Sequence, residues 1–228
     1  MAANDNVMPV NAIPPVVLGL FALVMGVEAV LSLAAAGVIG GPAGIGWRVA
    51  AITDWGFSAA VWDQVAERGN WSGDMLRRFV TYSFVHGSFT HALFGGVILL
   101  AMGKFVGEAF GGLATLAVFV VAGIAGAMVF GVVLSGNAAL FGSYPAVYGL
   151  IGAFTYLLWL RLGQTGQNQL RAFRLIGLLM AIQLLFAVFF GADQAWIADV
   201  AGFVAGFALS PLVAPGGWRA FLARMRAR

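Results

Sequence analysis

What most limits the folds open to this chain is a succession of six apolar runs with short polar breaks between most of them. They cover about Pro14–Ile39, Phe79–Gly103, Leu113–Leu134, Phe141–Leu162, Phe173–Phe190 and Gln194–Val213. Each is close to or above the ~20 residues a helix needs to cross the hydrocarbon core of a bilayer. Inside hydrocarbon every backbone N–H and C=O must find its partner within the segment, so runs of this length predict helices. Only 9% of residues are charged and 61% are hydrophobic, against about 25% charged in an ordinary soluble domain. The expectation is an all-α membrane protein, a six-transmembrane-helix bundle. It divides into a polar N-terminal tail over 1–13, a single transmembrane domain over 14–213 and a basic tail over 214–228. The first run is too long for the apolar core of a signal peptide.

Between the first two runs, from Gly40 to Arg78, hydropathy falls and Trp47, Trp55, Trp62 and Trp71 recur. Tryptophan favours the headgroup level. The alternation of apolar and polar residues over Trp47–Ala66 predicts an amphipathic helix lying in the interface. This is a membrane-surface first loop rather than a separate domain.

Six spans put both termini on one side, and the basic residues choose it. Lys104, Arg161, Arg171, Arg174, Arg219, Arg224, Arg226 and Arg228 fall on the side of the termini. Arg48, Arg68, Arg77 and Arg78 fall on the other, all in the long first loop. The positive-inside rule makes both termini cytoplasmic, as in a bacterial inner membrane.

Several function classes drop out. The basic residues are not interleaved with aromatics on a polar face, which argues against nucleic-acid binding. Without cysteine there is no disulfide, thiolate metal site or thiol nucleophile. His86 and His91 lie five apart, off the i,i+4 spacing of a zinc helix, so no metal is expected, and no cofactor motif is present.

The polar residues that remain are placed pointedly. Spans two, four and six all begin on the outer side, so His86 and His91, Ser143 with Tyr144 and Pro145, and Asp199 should converge at shallow depth near that face. Ser143, just before Tyr144 and Pro145, reads as a helix N-cap. Tyr144 and Asp199 are expected to hydrogen-bond to each other. Glu28, in the middle of span one, is expected to face the interior and be hydrogen-bonded there. Gly202 and Gly206 form a GxxxG face suited to close helix contact.

Three stretches in order, RRFVTYSFVHGSFTHALFGGVILLAMGKFVGEAFG, FGSYPAVYGLIGA and WIADVAGFVAGF, together resemble the rhomboid family of intramembrane serine proteases. The resemblance covers about Met75 to Val213 and implies a six-span rhomboid-like bundle. It further implies a Gly-x-Ser-Gly motif opening span four, a catalytic His in span six and a His-xxxx-His-xxx-Asn pattern in span two. Aligned on Ala146, Val147, Tyr148 and Gly149, Gly142 takes the first Gly. Tyr144 falls on the nucleophile and Pro145 on the second Gly. Aligned on Gly202 and Gly206, Asp199 falls on the catalytic His. His86 and His91 are retained, but Gly95 falls on the Asn. Arg78 matches an Arg that braces the first loop.

The resemblance therefore brings the fold while the residues withdraw the chemistry. A phenol with a pKa near ~10 is a poor peptide nucleophile, a carboxylate is no substitute for imidazole at neutral pH, and glycine supplies no oxyanion donor. The resulting expectation is a catalytically inactive member, a pseudoprotease. It would bind transmembrane helices of client or partner proteins against spans two and five, with lipid as a further partner and the bilayer thinned locally. Alternatives are an accessory or assembly subunit of a larger membrane complex, an active intramembrane serine endopeptidase working through Ser143 or Ser210, and a proton-linked transporter using Glu28 and Asp199.

Overall fold

The computed structural model describes residues 12–190 and 194–217, with 223 and 226. Most of the two expected tails therefore lies outside the described residues. The first helix, α1, is Pro15–Ala35, and it starts where prolines cost no intrahelical amide. A short turn of helix, α2 (Gly41–Gly44), leads to α3 (Trp47–Trp55). Strand β1 (Phe57–Ser58) and α4 (Ala59–Ala66) follow, the latter capped by the Ser58 hydroxyl accepting the Val61 amide. Next come α5 (Gly73–Thr81), a 3₁₀ turn at Tyr82–Phe84 and α6 (Phe89–Phe110). After α7 (Gly112–Val133), strand β2 (Ala139–Leu140) pairs antiparallel with β1, Phe57 opposite Leu140. The chain then forms α8 (Tyr144–Gln164), a 3₁₀ segment Gln169–Phe173, α9 (Arg174–Phe190) and α10 (Trp196–Val213).

Five of these helices, α1, α6, α7, α8 and α10, are long and apolar enough to cross a membrane. The fifth expected run corresponds to α9, which is 17 residues long.

Two expected boundaries change. The amphipathic helix foreseen over Trp47–Ala66 is broken in two, because Gly56 turns extended and the chain pairs as β1 with the segment entering α8. Hydropathy cannot register that pairing. Span two begins at Phe89, not Phe79. Between them the Tyr82 phenol donates to the Gly123 carbonyl and the Tyr82 carbonyl accepts the Gly142 amide. Ser88 then starts a new helix by accepting the His91 amide. Side-chain and loop bonds of long sequence separation stop a helix that composition alone would have continued.

At the centre, α8 is enclosed by α6, α7 and α10, with Ala146, Val147, Leu150, Ile151 and Ala153 fully buried. Contact is closest between α8 and α10. A Cβ on Gly202 would strike the Pro145 carbonyl, and one on Gly206 the Gly149 carbonyl. On the other side of α8, a Cβ on Gly149 would strike the Ala122 side chain of α7. Without a hydrophobic driving force between helices in lipid, backbone approach of this kind supplies the dispersion that holds a bundle together.

Candidate functional site

The starts of α6, α8 and α10 meet at one pole of the bundle. His86, in the turn before α6, is fully buried. Its Nε2 accepts the Ser143 backbone N–H at 3.1 Å and lies 3.2 Å from the Ser143 hydroxyl oxygen. A backbone amide only donates, so Nε2 carries no proton and the neutral ring is the Nδ1–H tautomer. The His86 carbonyl accepts Arg48 Nη1 at 2.7 Å.

Ser143 stands at the N-terminal boundary of α8 but makes no side-chain cap. The capping role expected for it is therefore corrected: its φ/ψ of −77°/−4° is already helical, and the hydroxyl turns to His86 instead. The space for that hydroxyl comes from Gly95. A Cβ there would sit 2.7 Å from Ser143 Oγ and 3.5 Å from a Tyr144 ring carbon. A larger side chain at 95 and the present Ser143 rotamer exclude each other.

Tyr144 lies flat on His91, with centroids 4.8 Å apart and planes 12° from parallel. His91 in turn meets the His86 ring at 5.3 Å, edge to face. The Tyr144 hydroxyl donates to the His91 carbonyl at 3.2 Å. This corrects the expected Tyr144–Asp199 hydrogen bond, because a phenol has one proton and the α6 backbone takes it. Asp199, buried in the first turn of α10, accepts the Gln183 amide of α9 at 2.7 Å. It stays within electrostatic reach of both Tyr144 and Tyr148.

Pro145, Tyr148, Gly149, Gly202 and Gly206 are all buried between helices, so they pack the site from behind and present no surface to a ligand. Ser210 donates to the Gly206 carbonyl within its own helix, 2.6 Å away. Arg78 donates to the Thr53 carbonyl at 2.6 Å, and Arg77 lies 4.0 Å over the Trp55 ring while pairing with Asp74. Together they tie α5 to α3. No group of three or more His, Cys, Asp or Glu able to hold a metal occurs among the described residues.

Two contributors have no counterpart in the sequence reading. Gln183 is a lone amide in an apolar run, a signal that was there to be read. Arg48 holds Glu28 by a bidentate pair, with Nη2 to Oε1 at 2.7 Å and Nη1 to Oε2 at 2.8 Å, while Ser32 donates to Oε1 at 2.6 Å. Glu28 is thus buried and hydrogen-bonded. Through Arg48 it links α1 to the His86 turn and so to Ser143.

Burial pushes the His86 imidazole down to about 4. His91 and Arg48 add to the depression, and Glu28 and the Phe84 carbonyl oppose it. Above pH ~6.5 the ring is neutral both folded and unfolded. Between ~6.5 and ~4 only the unfolded chain binds the proton, so stability falls as pH drops through that window, by roughly 3 kcal/mol in total. A His86→Asn variant keeps an acceptor for the Ser143 amide but does not titrate. Chemical denaturation in detergent at pH 7 and pH 4 should show the wild type losing more stability than this variant; equal losses would remove the buried neutral histidine from the account.

A search of curated protein sequences finds no match to the chain. The Rhomboid domain model does match, over residues 73–216. That interval runs from the start of α5 to just past α10 and contains His86, His91, Gly95, Ser143, Tyr144 and Asp199. It leaves out α1 to α4, and with them the Glu28–Arg48 pair. Covering more than half of the sequence, and with apolar helices where an intramembrane fold requires them, the match identifies this integral membrane protein as a member of the rhomboid family.

Proposed function

We propose that this rhomboid-family protein has lost peptidase activity and binds transmembrane segments of client or partner proteins. The observation that carries this reading is the Tyr144 side chain. It fills the position where the family's motif places the nucleophile, with its ring stacked on His91 and its only proton committed to the His91 carbonyl. Nucleophilic attack needs a hydroxyl in contact with a base, together with donors where the oxyanion forms. Here the phenol donates to a backbone carbonyl, Asp199 aligns with the family's catalytic His, and Gly95 offers no side-chain donor. What remains of the fold is a set of apolar helix faces. Phe89, Leu93, Phe94 and Val97 on α6, and Leu178, Ile182 and Leu185 on α9, are exposed on the two helices against which a client is proposed to dock.

The Ser143–His86 pair is the one feature favouring residual hydrolysis, since a hydroxyl lies 3.2 Å from an imidazole nitrogen. Three things weigh against it. The Nε2 lone pair already accepts the Ser143 amide, a ring that titrates near 4 is a weak base at neutral pH, and Ser143 has no exposed surface for an acyl group to reach.

Fluorophosphonate labelling of the purified protein, run beside cleavage of an unstructured membrane substrate, separates the two readings. The expected result is no labelling or cleavage above that of Ser143→Ala. In native membranes, a photo-crosslinking residue in place of Phe94 should capture other membrane proteins. Labelling that disappears in Ser143→Ala would restore the enzyme.

A further inference from the structure

Glu28 of α1 and Arg48 of α3 form an ion pair that does more than join those two helices. A guanidinium carries its N–H donors in a planar fork. Nη1 and Nη2 grip the two Glu28 oxygens, Nη2 also reaches Ser32 Oγ at 3.2 Å, and Nη1 has a further bond to the His86 carbonyl at 2.7 Å. That last bond is as short as the ion pair itself, and the pair does not require it. The Glu28 side chain is fully buried and that of Arg48 is 17% exposed, so little water competes for these donors.

His86 needs such a hold. It belongs to no helix: the 3₁₀ turn ends at Phe84, Val85 is extended, and the next helix is capped by Ser88. Two positions beside its ring carry no side chain. A Cβ on Gly95 would sit 3.7 Å from Nε2, and one on Gly142 would sit 3.6 Å from Cδ2. The ring is not wedged from those sides, so its place follows from the orientation of its own peptide. The bond it makes is unforgiving. Nε2 accepts the Ser143 amide at 3.1 Å. By about 3.6 Å such a contact is no longer a hydrogen bond, so a shift of roughly half an ångström loses it.

We infer that Arg48 is a positioning residue of the site: by holding the His86 carbonyl, it keeps the imidazole in the tautomer and the place from which Nε2 accepts the Ser143 amide. The consequence falls at the start of α8, where Ser143 makes no side-chain cap and its own amide is satisfied from His86. The hold comes from α1 and α3, which precede the rhomboid domain at 73–216. Elements outside that domain therefore complete the site, and they do so for a binding protein and for a hydrolase alike.

Nitrogen-15 NMR of the full-length protein, labelled at histidine and held in lipid nanodiscs at pH 7, tests this. The sequence has two histidines, so the His86 signals are assigned by their loss in His86→Asn. The wild type should show His86 protonated at Nδ1 and bare at Nε2. Glu28→Met combined with Arg48→Met removes both buried charges, so no uncompensated charge opposes folding, and it removes the donor to the His86 carbonyl. In this double variant the Nε2–H tautomer is expected to appear. The Ser143 amide should exchange with deuterium at least about tenfold faster relative to the Val147 amide, which bonds within α8. Ser32→Ala weakens the ion pair without touching the bond to His86 and should leave both readouts as in the wild type. Arg48→Lys keeps the charge and donors enough for Glu28 and the His86 carbonyl, and should also preserve them. An unchanged tautomer and unchanged exchange in the double variant, or release of Ser143 in Ser32→Ala or Arg48→Lys, would each overturn the inference and leave Arg48 a purely structural role.

Discussion

Replacing Arg48 by methionine is expected to cost about 3–5 kcal/mol of stability, the range found when one partner of a buried ion pair is removed. The Glu28 carboxylate has no exposed side-chain surface and takes both guanidinium nitrogens of Arg48. With the guanidinium gone, the Ser32 hydroxyl is left to donate to it, and the His86 carbonyl loses its bond as well. Breaking the pair differs from removing it. Glu28→Met combined with Arg48→Met takes away both desolvation penalties and should recover much of the loss, though not the bond to His86. Denaturation in detergent of the two single variants and the double variant forms a cycle that reads the coupling directly. A wild-type-like Arg48→Met would mean that the clasp joining α1 to the His86 turn contributes nothing.

A second large effect is expected at Gly206. Its Cα lies against the backbone of α8, so the Cβ of Gly206→Ala would meet the Gly149 carbonyl group, which cannot rotate away as the end of a side chain can. Overpacking of this kind costs typically 1–3 kcal/mol and occasionally more, and rigid backbone on both sides puts this site at or above the top of that range. The helices must part, and the starts of α8 and α10 carry Tyr144 and Asp199 apart with them. Ala205→Gly, one residue away, serves as a control that leaves the contact intact. The variant should unfold at markedly lower temperature in detergent, and the Gln183–Asp199 bond should loosen. Unchanged melting would show that the GxxxG face is not the packing surface.

Much of this architecture is written in the sequence at long range. Apolar runs of bilayer length dictate helices because backbone groups in hydrocarbon have no other partners, and the glycine spacing in the last run marks where two helices touch. Three motifs in the right order point to the rhomboid family, a kinship the domain match over 73–216 bears out. Hydropathy was silent where polar bonds overrule it. The break between α5 and α6 depends on Tyr82 reaching Gly123, and the break at Gly56 on a strand partner some eighty residues away.

Which residues stand at the pole of the bundle was legible from the order of the apolar runs, because helix direction alternates and every second span starts on the same side. Which of them bond to which is set by the packed bundle. The Tyr144 proton goes to the His91 carbonyl, Asp199 takes an amide from α9, Ser143 turns to His86, and Glu28 finds Arg48. Each choice turns on ångström differences in where a side chain leaves its helix, set by the crossing of close-packed glycine faces, and a periodicity along one chain carries no information at that scale.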